Sequence, residues 1–300
     1  MEKSIDQLNT QFSIAGMINF EVGNGGLHLA KLRSAHSMAE VYLHGAHVTQ
    51  FNPTNKAPVL WMSGKSVYQS DKPIRGGVPI CFPWFGPRAG DATAPIHGFA
   101  RIHNWQVKST AKWSDGCELI LELSDDEKTR AIWPCQFHAQ YRIRIGKTLE
   151  LSLIVKNTGQ ESFTFEEALH SYFSVADIHN VAIEGLAGTT YIDKMDSLKQ
   201  KPEGTEPVKI IAETDRVYVN TKSTCVIHDV ANSRQISIAK TGSDATVVWN
   251  PWIAKAKAMA DFGDDEWTGM LCIETVNVGV NHVNLAPGAT HEMRAMIGCE

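Results

Sequence analysis

Between Lys72 and Arg101 the sequence reads KPIRGGVPICFPWFGPRAGDATAPIHGFAR, and neither a helix nor a long strand can run through it. Pro73, Pro79, Pro83, Pro87 and Pro95 each remove a backbone donor, and Gly76, Gly77, Gly86, Gly90 and Gly98 each loosen φ. The spacing predicts a long loop with short extended pieces. Loops of that length are either functional or disordered. Ile74, Val78, Ile80, Phe82, Trp84, Phe85 and Phe99 give this one enough apolar surface to dock on a core, so an ordered loop is expected. Arg75 follows Ile74 beside a Gly-Gly pair, and Arg101 closes His97-Gly98-Phe99-Ala100. Two readings of these arginines are open. A guanidinium among small residues suits a phosphate or carboxylate ligand; equally, both arginines can be surface residues paired with carboxylates.

The rest of the chain reads as short strands. Leu27 to Arg33 alternates, and Ala39 to Phe51 reads as two strands meeting at Gly45. Trp105 to Ala111 and Cys117 to Leu123 predict a hairpin around Asp115-Gly116, a dipeptide that accepts positive φ. His138 to Ile145 and Thr148 to Lys156 predict a second, with Leu149, Leu151, Leu153 and Val155 on one face. Ser162 to Ala176 follows, then Lys194 to Asp215, whose Lys, Glu, Asp and Pro content predicts an exposed excursion. Strand patterns resume at Thr224–Val230, Gln235–Ala239, Thr246–Trp249, Met270–Val276 and His291–Gly298. Pro251 to Ala260 is the one helix expected. Many strands and little helix predict an all-β fold, an antiparallel sandwich or barrel, with the 300 residues as a single domain.

A net charge of −5 without a basic stripe argues against nucleic-acid binding. No run approaches the roughly 18 apolar residues of a membrane span, and the polar start MEKSIDQLNTQFSIAGM lacks the core of a signal peptide. Six cysteines without a CxxC pair read as reduced thiols, and a cytoplasmic location is expected. His44 and His47 are three apart near a bend, where that spacing does not form a ligand pair, so no metal is expected there.

Two ionisable residues stand among neighbours that favour burial: His170 in EALHSYF and Glu274 in MLCIET. A buried carboxylate must be paired, hydrogen-bonded or facing a wet pocket. Together the two residues are competent for acid–base chemistry, or they are a satisfied core histidine and an unrelated structural carboxylate. A serine nucleophile at Ser171 is the weaker reading, because no G-x-S-x-G elbow exposes it.

KPIRGGVPICFPWFG, HGFAR, ALHSYF, YID, VWNPW and CIE, in this order, resemble the hexose-6-phosphate mutarotases, the glucose-6-phosphate 1-epimerase branch of the aldose 1-epimerase superfamily. The resemblance spans about residues 27 to 297. It implies a large two-layer antiparallel β-sandwich of the galactose mutarotase-like supersandwich type, with little helix. It implies His170 and Glu274 as the catalytic pair, Arg75 and Arg101 as the phosphate anchors, and Asp193 as a substrate-binding aspartate. His97 is expected to line the same cleft, and Trp84, Trp249 and Trp252 either stack on sugar or belong to the core. Some members carry glutamine where this chain has Ile96. The implied reaction interconverts the α and β anomers of hexose 6-phosphates by ring opening, without a cofactor. From charge and hydropathy neither nucleic acid nor membrane is expected as a partner, and a monomer is expected. A non-catalytic sugar-phosphate-binding module and an epimerase for unphosphorylated aldoses are the alternatives; the histidine and glutamate speak against the first, the two arginines against the second.

Overall fold

The computed structural model describes residues 2–300. Two eight-stranded antiparallel sheets form the sandwich. One runs in the order Lys199–Pro202, Thr190–Asp193, Thr214–Val219, Ala245–Asn250, Met270–Asn277, Glu167–Leu169, Ile80–Cys81, with Tyr172–Ser174 also paired to Met270–Asn277. The other runs Val181–Glu184, Cys225–Asp229, Arg234–Thr241, Thr290–Cys299, Leu149–Asn157, Phe137–Ile145, Gly116–Ser124, Gln106–Trp113. A four-stranded sheet, Ile18–Val22, His28–Arg33, Ser37–Tyr42 and His47–Pro53, precedes both. Leu149, Leu151, Leu153 and Val155 are fully buried, as their alternation requires, and side chains of all three sheets share one hydrophobic core. The two large layers are also tied by a polar contact: His291 Nε2 lies 2.8 Å from the buried Glu167 Oε1, which accepts from Asn277 Nδ2 at 2.8 Å.

The 72–101 loop is ordered and docked. Ile80–Cys81 joins the first sheet beside Glu167–Leu169, with Phe82, Phe99 and Trp84 buried and the Phe82–Pro83 peptide cis. Its glycines answer to space as well as φ. A Cβ on Gly77 would lie 2.2 Å from the Val48 carbonyl oxygen, and one on Gly98 would lie 2.0 Å from that of Phe82. His44 and His47 brace the arginine-bearing turn, with Nε2 atoms 2.8 Å from the Lys72 and Gly76 carbonyl oxygens respectively. From the far side Glu166 accepts the amides of Phe85 at 2.9 Å and Gly279 at 2.8 Å.

Three expectations are corrected. Helices also form at Ile5–Phe12 and Glu127–Ile132, each opened by a capping box, Ser4 with Gln7 and Asp126 with Thr129. The 194–215 stretch is not wholly an excursion, since Lys199–Pro202 and Thr214–Val219 flank Thr190–Asp193. The hairpin turns on Ser114, at φ 34°, whereas Gly116 starts a strand; glycine is needed there because a Cβ would meet the Ile145 carbonyl oxygen at 1.7 Å. The helix expected at Pro251–Ala260 forms over Trp252–Ala258. All six cysteines are free, and among the described residues no helix is long and apolar enough to cross a membrane.

Full burial lowers the His47 pKa to about 3, so in the folded state it stays neutral and its Nε2–H donates to Gly76. The unfolded chain takes up a proton near pH 6.5 that the folded chain refuses, so stability falls as pH drops from 6.5 toward 3, by up to about 4 kcal/mol from this residue. Denaturant melts at stepped pH on wild type and His47→Gln are expected to show a shallower acid slope in the variant; parallel slopes would show that His47 is not the buried proton-refusing group.

Candidate active site

His170 and Ser171 interrupt the strand pairing opposite Met270–Asn277, but the register is the same on both sides of the break: Leu169 faces Thr275, and Tyr172 faces Cys272. His170 therefore falls directly opposite Glu274, where cross-strand side chains are closest. Nε2 of His170 lies 3.3 Å from Oε1 of Glu274. Both residues are buried, and two further atoms, His170 Nδ1 and Glu274 Oε2, have no hydrogen-bond partner among the described residues. The docked loop holds the histidine backbone through its amide donating to the Pro79 carbonyl at 3.1 Å.

Burial dominates the electrostatics. It pushes His170 well below the ordinary imidazole range, and Arg75 and Arg101 push it further. Burial likewise lifts Glu274 well above the usual carboxylate range, with Lys194 opposing and Asp215 adding to the rise. Both directions favour neutral forms, an imidazole against a protonated carboxyl with one proton to exchange between them.

The arginines have different surroundings. Arg75 Nε donates to Asp261 at 3.1 Å, Nη2 lies 3.0 Å from the same oxygen, and Nη1 donates to the Tyr172 hydroxyl at 3.0 Å. Five N–H donors less these three leave two for a ligand. Tyr172 in turn stacks on the His170 ring, centroids 4.8 Å apart, which couples the arginine to the pair mechanically. Arg101 makes no ion pair among the described residues; Nη2 donates to the Ile96 carbonyl at 2.7 Å, and its buried Nε has no partner. The carboxylate-paired reading holds for Arg75 and fails for Arg101. His97 sits at φ 64° with Nδ1 accepting from the Gly86 amide at 3.1 Å, and its ring is edge-on to His170 at 5.7 Å. That acceptor role places the His97 proton on Nε2.

Asp193 is not brought to the pair. Glu274, Val247, Val217 and Ile192 form one lateral row across four strands, so Asp193, next to Ile192, belongs to the opposite face. Its carboxylate accepts from Lys201 Nζ at 2.8 Å and from the Met195 amide at 2.9 Å. Two residues that sequence reasoning passed over stand there instead. Asp215, two residues before Val217, shares the Glu274 face, and Lys194 pairs with it at 3.1 Å while lying 4.8 Å from the centre of the Phe85 ring. The available signal was the alternation of Asp215, Val217 and Val219, hidden by the charged composition on its N-terminal side. Of the three tryptophans, Trp84 is buried with Nε1 on the Pro95 carbonyl, Trp249 packs edge-on to His170 at 6.0 Å, and Trp252 packs on Trp267 at 4.4 Å.

The aldose 1-epimerase family pattern matches residues 28–297, and the chain belongs to that family. A Salmonella typhimurium relative named "Putative glucose-6-phosphate 1-epimerase" is 39% identical over 79% of each chain, and a Cenchrus ciliaris relative of the same name is 34% identical over 88% of this chain and 82% of its own. The crystal structure of Salmonella typhimurium YeaD, described as a "putative mutarotase", superposes with a TM-score of 0.89 at 32% identity, covering 96% of this chain and 95% of that one. Galactose 1-epimerase from Lactobacillus acidophilus NCFM, at 12% identity and TM-score 0.73 over 94% and 98% of the two chains, shares the fold.

Replacing each aspartate by asparagine separates the two. Asp215→Asn is expected to cut kcat/KM by roughly 10- to 100-fold, the worth of one charged hydrogen bond, whereas Asp193→Asn leaves it within a few-fold. The reverse order in steady-state kinetics would return the substrate role to Asp193.

Proposed function

We propose that the chain is a hexose-6-phosphate mutarotase, a glucose-6-phosphate 1-epimerase by reaction, that opens and recloses the pyranose ring of a sugar phosphate. The observation that carries the phosphate specificity is Arg101: a half-buried guanidinium whose buried Nε has no partner and which meets no carboxylate among the described residues, near enough to His170 and His97 for its charge to lower both. A partly desolvated cation without a counter-ion is costly, and a bound phosphate supplies one. Arg75 adds its two remaining donors.

In the proposed chemistry the Glu274 carboxylate removes the proton from the anomeric hydroxyl while the protonated His170 delivers one to the ring oxygen, and the bond between C1 and that oxygen breaks. The products are an open aldehyde, a neutral His170 and a protonated Glu274. After rotation about the C1–C2 bond the transfers run backwards and the ring closes on its other face. The neutral pair favoured by burial is thus the state that recloses the ring. A phosphate bound to the arginines would cancel part of the field that holds His170 down, raising its proton affinity when the substrate arrives. Such acid–base help supplies roughly 10²- to 10⁴-fold. Asp215 and His97 are assigned to sugar hydroxyls, as acceptor and donor respectively. The phosphate, remote from C1, positions the ring.

The test is Arg101→Ala. It is expected to raise KM for glucose 6-phosphate by roughly 100-fold, the scale of a charge-assisted pair, with little change for free glucose. It should also move the pH profile of kcat/KM upward, because one of the cations depressing His170 is gone. Equal losses on both sugars would remove Arg101 from the phosphate site.

A further inference from the structure

Glu274 and His170 have a third neighbour that the proposed reaction does not use. Cys272 lies two residues before Glu274 on Met270–Asn277 and so projects from the same face, and it is fully buried. The thiol sulfur, a ring nitrogen of His170 and a carboxylate oxygen of Glu274 all lie within 4.8 Å of one another. Thiolate, imidazole and carboxylate are a donor set for zinc and similar soft divalent ions, and are poorly suited to magnesium or calcium.

The spacing fits. Two ligands on one tetrahedral zinc are separated by about 3.4 Å for nitrogen and oxygen and about 3.5 Å for sulfur and nitrogen. The Nε2-to-Oε1 distance of 3.3 Å already has the first value, and the sulfur, within 4.8 Å, needs a shift of no more than about 1.3 Å to reach the second. His170 Nδ1 has no partner among the described residues, so placing the ring proton there, which frees the Nε2 lone pair for a metal, breaks no hydrogen bond. The charges also balance: a dication with one thiolate and one carboxylate is neutral, so Arg75, Arg101 and Lys194 face no added positive charge. Sequence spacing hides this set, because its members come from two strands at 170, 272 and 274.

We infer that His170, Cys272 and Glu274 form a site for one soft divalent cation of the zinc type, and that its occupation blocks the acid–base pair. Binding releases the protons of Cys272 and Glu274 and leaves a coordination position open. The metal is an inhibitor and has no part in turnover. Its binding does not depend on the proposed reaction; only the blockade does.

The experiment titrates chelator-treated full-length protein with zinc by calorimetry and with cobalt by absorbance. Expected are one zinc per chain, a near-ultraviolet thiolate-to-cobalt band, no competition by magnesium, and affinity weakened roughly 100-fold in Cys272→Ser. Glu274→Gln, which preserves shape, should weaken zinc roughly 10-fold and keeps the test valid should the serine variant misfold. Absence of saturable binding, a cobalt complex without the thiolate band, or undiminished affinity in these variants would overturn the site. Loss of mutarotation at the same zinc midpoint, reversed by a chelator, is expected; full activity with the metal bound would overturn the blockade alone.

Discussion

The arrangement depends on an antiparallel register that survives a break. Leu169 and Tyr172 keep the same alignment against Met270–Asn277 although His170 and Ser171 leave the ladder, and this sets an imidazole opposite a carboxylate on rigid strands. Strands hold functional groups more closely than loops do. A one-residue slip would turn Glu274 to the other face and destroy the pair. The layers behind are fixed by the Glu167–Asn277–His291 contact, which uses the residues three before His170 and three after Glu274 on the same two strands. Odd spacing puts that contact on the opposite face, so one pair of strands carries a structural polar cluster inward and the acid–base pair toward the loop.

Burial and charge act together at this site. A buried histidine and glutamate each resist ionisation; Arg75, Arg101 and Lys194 oppose protonation of the histidine, while Lys194 alone supports ionisation of the glutamate against Asp215. The proposed reaction needs both to change charge in a single step. An anionic substrate shifts that balance toward protonated His170, because it neutralises the two arginines without touching the pair. The docked loop serves both ends of this arrangement, presenting Arg75 and Arg101 while its Pro79 carbonyl fixes His170. His44, His47 and Glu166 in turn fix the loop.

Much of this was legible from residue types. The proline and glycine density of 72–101 marked an ordered loop, and Glu274 was conspicuous because every other residue of its strand is compatible with burial on both faces. Strands with one wet face, such as Phe137–Ile145, showed their alternation directly. What was missed has physical causes. Asp215 reads as the last residue of a charged, solvent-exposed tract, yet its own period-two neighbours Val217 and Val219 are strand-like. Asp193 matched a motif, but strand parity turns it away from Glu274. The first helix was hidden by its polar composition, although Ser4 and Gln7 had the capping spacing. No sequence rule could have grouped Cys272 with His170, since register alone makes them neighbours.

The most direct test of the central claim is exchange NMR of α- and β-glucose 6-phosphate at equilibrium, with and without the protein, beside free glucose and free galactose. The account predicts that the protein accelerates anomer exchange of the phosphate by roughly 100-fold more than that of either free sugar, the contribution of an anchored phosphate. No acceleration for any sugar, or equal acceleration for phosphorylated and free glucose, would contradict it.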